Sequence, residues 1–320
     1  IHDHTSTMKA IYIILIVLCA IPLTLMGLPF EISPAIALAL GLVFAIVAPA
    51  NPCPKFNKKA SKLLLQAAVV GLGFGMNAIE SLKSGAEGMS FTIVSVAAVM
   101  AVGFILGAGL RVDRNTSWLI SSGTAICGGS AIAAVAPVVR ANSSQMAVAL
   151  GVVFILNSIA LFIFPPIGHL LDMSQQQFGT WAAIAIHDTS SVVGAGEAYG
   201  PEALQVATLV KLTRALWIIP LAFVSMAIFR QKGTKVSIPW FIFLFVLAMC
   251  VNTWLPLPAA LTDTIVLASR RAMVVTLFLI GASLSPSAIR QVGSRPLVLA
   301  ILLWALIGFS SLAVVLLTIQ

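Results

Sequence analysis

Apolar residues run along this chain in stretches of about twenty, separated by short clusters of charge, proline and glycine. A hydrocarbon layer about 30 Å thick takes roughly 20 residues of helix, so the pattern predicts membrane-spanning helices. A membrane β-barrel would show segments of about 10 residues in strict alternation, and the sequence has no such rhythm. Eleven spans are expected, at about 10–28, 33–49, 63–79, 90–109, 117–139, 146–165, 178–196, 204–229, 238–256, 270–285 and 297–318. The fold class expected is an all-α polytopic membrane protein forming one transporter domain over 1–320.

Charge orients the spans. With the N-terminus inside, the inner loops hold Lys9, Lys55, Lys58, Lys59, Lys62, Arg111, Arg114, Arg230, Lys232, Lys235, Arg290 and Arg295, most of the 18 basic residues. The outer loops hold Glu31, Glu80, Glu87, Glu197, Glu202 and Asp263. The positive-inside rule then puts the N-terminus in the cytoplasm and the C-terminus outside, in a bacterial inner membrane. The first span stands apart as a peripheral helix. The other ten divide into groups of five, 33–165 and 178–318, of opposite topology. Their fourth members, spans five and ten, are both rich in small and hydroxyl residues at mid-depth: GTAICGGSAIAAVAP and LFLIGASLSPSAI. Breaks are therefore expected near Gly128–Gly129 and Ser283–Pro286, as in an inverted-repeat transporter with two crossed, interrupted helices. The pairs Gly71/Gly75 and Gly103/Gly107 are read instead as close helix-packing positions.

Composition narrows the class. The 320 residues are 60% hydrophobic and 9% charged, with a mean hydropathy of +1.07. Soluble domains are about a quarter charged, so disorder, a coiled coil, a disulfide-stapled secreted domain and an ordinary cytosolic enzyme are excluded. The net charge of +8 follows from the basic inner loops, and without an Arg- or Lys-rich arm nucleic acid is not a partner. Cys19, Cys53, Cys127 and Cys250 lie far apart, which gives neither a zinc motif nor a disulfide framework. No metal or other cofactor is expected. Ile1 to Lys9, with His2 and His4, are read as a disordered, trimmed terminus without function.

The chemistry is at depth. Lys211 and Arg214 fall inside the eighth span, because Ala215 to Phe229 alone would make only about 22 Å of helix. Three residues apart, they share a helix face, and two cations near the midplane call for an anion. The alternative is snorkelling or a structural pair with Asp188. His187 and Asp188 lie mid-span in the seventh helix and are candidates for proton coupling. The alternative makes Asp188 a helix N-cap and His187 a packing residue. Thr189, Ser190, Gly128, Gly129, Ser130, Ser283 and Ser285 would present hydroxyls and backbone N–H groups to substrate oxygens.

The segments ICGGSAIAA at 126–134, HDTSSVVGAG at 187–196, KLTR at 211–214 and LFLIGASLS at 277–285 resemble the YeiH-like sulfate exporter family of bacterial inner-membrane proteins, over about residues 12–318. The resemblance implies a fold related to the bile-acid symporter and sodium–proton antiporter group. It also implies a sulfur oxyanion as substrate (sulfate, sulfite or a small sulfonate) and export as the direction. The expected partners are that small inorganic or sulfonated anion and the lipid bilayer, with a homodimer left open. The alternatives are a sodium–proton antiporter or organic-anion symporter of the same fold, and an anion channel. An enzyme is not expected: Ser190 near His187 lacks a strained-turn nucleophile motif.

Overall fold

The computed structural model describes residues 2–23, 31–48, 51–230, 240–284 and 293–319, excepting the side chains of 2–6 and 80–90. Every regular element among them is helical. In chain order these are α1 (His2–Ala20), α2 (Pro34–Val47), α3 (Pro54–Leu72), α4 (Ala78–Gly109), α5 (Arg114–Ala125), α6 (Gly129–Val135) and α7 (Ser143–Leu170). They continue as α8 (Gln175–Ala185), α9 (Thr189–Tyr199), α10 (Pro201–Ala215), α11 (Ile218–Ile228), α12 (Trp240–Trp254), α13 (Ala259–Gly281) and α14 (Ser294–Thr318). The stretches Phe91–Gly109, Ser143–Leu170, Pro201–Ile228, Ala259–Gly281 and Ser294–Thr318 are long and apolar enough to cross a membrane. Thr7–Ala20, Pro34–Val47 and Trp240–Trp254 are shorter apolar helices.

Two compact units form, and each draws on both stretches 33–165 and 178–318. The first comprises residues 1–80 and 240–286. Its core joins Tyr12, Phe44 and Phe278, whose ring centroids are 5.4, 5.8 and 6.4 Å apart. Helices α2 and α13 approach so closely at Gly41 and Gly281 that a Cβ on either would run into the other's backbone. The carbonyls ending α13 are satisfied from within this unit: Asn57 Nδ2 donates to Leu279 O at 2.8 Å, and Asn51 Nδ2 to Ala282 O at 3.2 Å. Tyr12 donates to Asn57 Oδ1 at 2.7 Å.

The second unit comprises residues 81–239 and 287–320. Here α4 meets α5 through the glycines the sequence marks for packing. A Cβ at Gly103 or Gly107 would overlap Ser121 or Ser117, and Ser117 Oγ donates to Gly103 O at 3.1 Å. Gly71 and Gly75 sit likewise against Ser269 and Val266 in the first unit. Helix α14 ties to α8 by two indoles: Trp304 donates to Ala185 O at 3.1 Å, and Trp181 to Gly308 O at 3.0 Å.

Several expectations are corrected. The terminus read as disordered is helical from His2. Helix α3 begins at Pro54, nine residues before the expected span, because Pro54 at its first turn starts a helix that Lys and Ala sustain. Helix α13 begins at Ala259 and runs through Arg270 and Arg271, which had marked a span boundary. Arginine is a good helix former, and no breaker stands between Pro258 and Gly281. Span ten is thus unbroken to Gly281, and Ser285 and Pro286 lie outside the described residues. The long eighth span is divided at Leu216–Trp217, where Pro220 cannot donate to Leu216 O.

Candidate functional site

Span five is interrupted where its glycines predict. Helix α5 ends at Ala125, and α6 starts at Gly129 with Gly128 at its N-cap, φ +64° and ψ −123°. Only glycine adopts that backbone without strain. A second interruption falls in span seven, where the sequence reading holds a helix N-cap at Asp188 as its alternative: α8 ends at Ala185 and α9 starts at Thr189, with Asp188 at its N-cap. The two breaks touch, since a Cβ built on Gly128 would lie 3.2 Å from Asp188 Cβ.

The breaks repeat one another at an offset of sixty residues. Ala125–Ile126–Cys127–Gly128–Gly129–Ser130 matches Ala185–Ile186–His187–Asp188–Thr189–Ser190 position for position in helix end, break and helix start. Their hydrogen bonds match as well. Ile126 N donates to Ser122 O and Ile186 N to Ala182 O; Ile132 N donates to Gly128 O and Val192 N to Asp188 O. Interruptions of the same geometry thus fall in spans five and seven, while the one expected in span ten at Ser283–Pro286 runs outside the described residues. That match is visible in the sequence, but a search restricted to the fourth members of two five-span groups passes over it.

Each break exposes carbonyls at a half-helix C-terminus, and Lys211 of α10 gathers them. Its Nζ donates to Ile126 O at 3.1 Å, Ala183 O at 3.2 Å and Ile186 O at 2.8 Å. An ammonium has three hydrogens, so all are used and none is left for the anion assigned to it from sequence. Arg214, one turn on, is fully buried and donates through Nη1 to Ser95 Oγ at 2.9 Å. Its Nε and Nη2 have no partner among the described residues. Neither cation pairs with Asp188 among the described residues. That carboxylate accepts from Ser190 Oγ and, at 3.3 Å, from Ser191 N, the N-cap alternative of the sequence reading, while Oδ1 is unpartnered.

His187 is fully buried with both ring nitrogens unpartnered among the described residues, and its backbone N–H donates to Asn157 Oδ1 at 2.9 Å. Asn157 Nδ2 and Thr124 Oγ1, also buried, have no partner among the described residues. Lys211 and Arg214 are near enough to act electrostatically on the His187 ring. Asn157 and Thr124 were not singled out from sequence, because one amide and one hydroxyl in apolar spans have no spacing signature. Of the remaining expected residues, Thr189 and Ser190 are buried at the start of α9 and Gly129 is half-buried. Ser130 is exposed. Ser283 belongs to the first unit, where its Oγ donates to Leu279 O at 3.0 Å and accepts from Asn57 Nδ2 at 2.5 Å. A cavity of about 290 Å³ at the α10–α11 turn is lined by Thr92, Thr213, Leu216, Trp217 and Pro220, and by none of the break residues.

Helices of membrane length, a surface bearing Ile46, Ile105, Phe309 and Leu317, and an interior holding Lys211, Arg214, His187 and Asp188 define a helical membrane protein with a polar site at interrupted helices. The chain belongs to the family described as Conserved hypothetical protein 698, which matches residues 10–300. It is 60% identical over 288 residues to a UPF0324 membrane protein of Bacteroides thetaiotaomicron, covering 88% of this chain and 86% of that one. To a UPF0324 membrane protein of Porphyromonas gingivalis it is 53% identical over 291 residues, covering 89% and 88%. To one of Shewanella oneidensis it is 48% identical over 304 residues, covering 94% of each. No solved structure matches the chain.

Proposed function

We propose that this protein is a secondary active transporter of a small anion, with eleven spans and a binding site at the two breaks. The observation that carries the reading is the fully buried Arg214, whose Nε and Nη2 have no acceptor among the described residues. A guanidinium fork fits two oxygens of an oxyanion, and leaving it desolvated without one is costly. Asn157 Nδ2 adds a donor, and His187 adds one on whichever ring nitrogen is protonated. Asp188 Oδ1 is the sole carboxylate acceptor among these unpartnered groups. Donors in excess of acceptors favour an anion. In this reading Lys211 neutralises the half-helix ends, so that Arg214 meets the substrate. His187 stands beside both as the proton-coupling group, with Asp188 holding the start of α9. The sulfur oxyanion and the export direction rest on the sequence resemblance. Asp188 Oδ1 favours the second reading, exchange of sodium for protons.

Uptake of labelled sulfate, sulfite and a small sulfonate into proteoliposomes, with and without a pH gradient, tests this proposal. Wild-type protein should accumulate at least one of them. Arg214→Lys should lose that transport while keeping its melting temperature, because an ammonium cannot present the same fork. Wild-type rates in Arg214→Lys would remove the site. Sodium-driven proton movement without anion flux would establish the second reading instead.

A further inference from the structure

The Lys211 ammonium is placed as a bound ion would be. Three backbone oxygens from two separate helix ends converge on it at 2.8–3.2 Å, and they match its three hydrogens in number. Two of the oxygens, those of Ile126 and Ile186, hold equivalent positions in the two matching breaks. Each half-helix C-terminus presents roughly −0.5 of an elementary charge, and two together ask for about one positive charge. Neighbouring carbonyls are bonded differently: Ser122 O, Gly123 O and Ala182 O accept from backbone N–H groups, and Ala185 O accepts from Trp304. Ile126 O, Ala183 O and Ile186 O are the ones given to the cation. Carbonyl cages of this kind coordinate monovalent cations by replacing their hydration shell.

We infer that the carbonyls of Ile126, Ala183 and Ile186 form a monovalent-cation site in which the Lys211 ammonium stands where an alkali or ammonium ion would otherwise bind. The inference concerns charge balance at the breaks and does not depend on the transported substrate. Shortening the lysine should convert the protein from one carrying its own cation into one that takes a cation from solution. Lys211→Ala removes a propylammonium group and leaves room for sodium, potassium or propylammonium. Lys211→Met fills the same volume without charge.

The experiment is the melting temperature of the purified full chain in sodium, potassium, propylammonium or choline chloride at equal ionic strength. Wild type should not distinguish these salts. Lys211→Ala should melt low in choline and rise saturably, by about 5 °C or more, in at least one small cation. Lys211→Met should melt low in all four. The inference is overturned if Lys211→Met melts like wild type, since the carbonyls then need no cation. It is equally overturned if Lys211→Ala responds alike to every salt or fails to fold in all of them. Anion transport by the wild type can fail without touching any of these outcomes.

Discussion

Gly128 holds a backbone that a side chain would strain, and Asp188 lies where that side chain would go. Gly128→Ala should cost about 1–3 kcal/mol from the dihedrals, more if Asp188 is displaced, read as a lower melting temperature. Arg214 predicts the opposite. Its guanidinium is buried with two edges unpartnered among the described residues and a like charge nearby on the same helix, so the volume-filling Arg214→Met should leave unliganded stability unchanged or raise it. The same variant should abolish any rise in melting temperature that sulfite or sulfate gives to wild type. Large destabilisation of Arg214→Met, reversed by adding Asp188→Asn, would make the arginine structural instead. Much at this scale is legible in the sequence: a Gly-Gly pair at mid-span marks a break, and an Asp before Thr-Ser-Ser marks a helix start. The partners of Lys211 are not, because they are main-chain oxygens, and a carbonyl is the same on every residue.

Among the elements, helix-to-helix distance is set by small residues at a few crossings. Gly107 faces Ser117 with no room for a methyl group, whereas nothing lies within 4 Å of a Cβ at Gly308 in α14. Gly107→Ala should therefore separate α4 from α5 and destabilise. Gly308→Ala should be neutral or gain up to about 1 kcal/mol of helix propensity, and melting curves in one detergent compare the two directly. Every described helix overlaps an expected span, but the periodicity does not fix where helices end or divide. Lysines and arginines were read as leaving the membrane, yet they extend α3 and α13 without interruption. The break in span seven is half legible: Asp188 marks the helix start after it, but the stretch Trp181–Ile186 is apolar up to the break and hides the helix end before it. Its register with Ala125–Ser130 shows where that end falls.

For the whole molecule, the outward Ile, Phe and Leu and the buried Lys, Arg and Asp are the reverse of a protein surrounded by water. The exposed basic residues at the start of α3, Lys55, Lys58, Lys59 and Lys62, are expected on the cytoplasmic side, with the C-terminus opposite. Membrane-impermeant maleimide should label Lys58→Cys and a cysteine appended after Gln320 from opposite faces, in a background without the native cysteines. Labelling of both from one face would end the odd span count. The bonds of Lys211 reach beyond electrostatics into time. A single side chain fastened to Ile126 O and Ile186 O makes each break a reporter of the other, for neither can swing free while the knot holds. Backbone amides around 128–132 and 188–192 should therefore exchange with deuterium at a common opening rate, as one cooperative patch. In Lys211→Met the patch should come apart into two, each with a rate of its own.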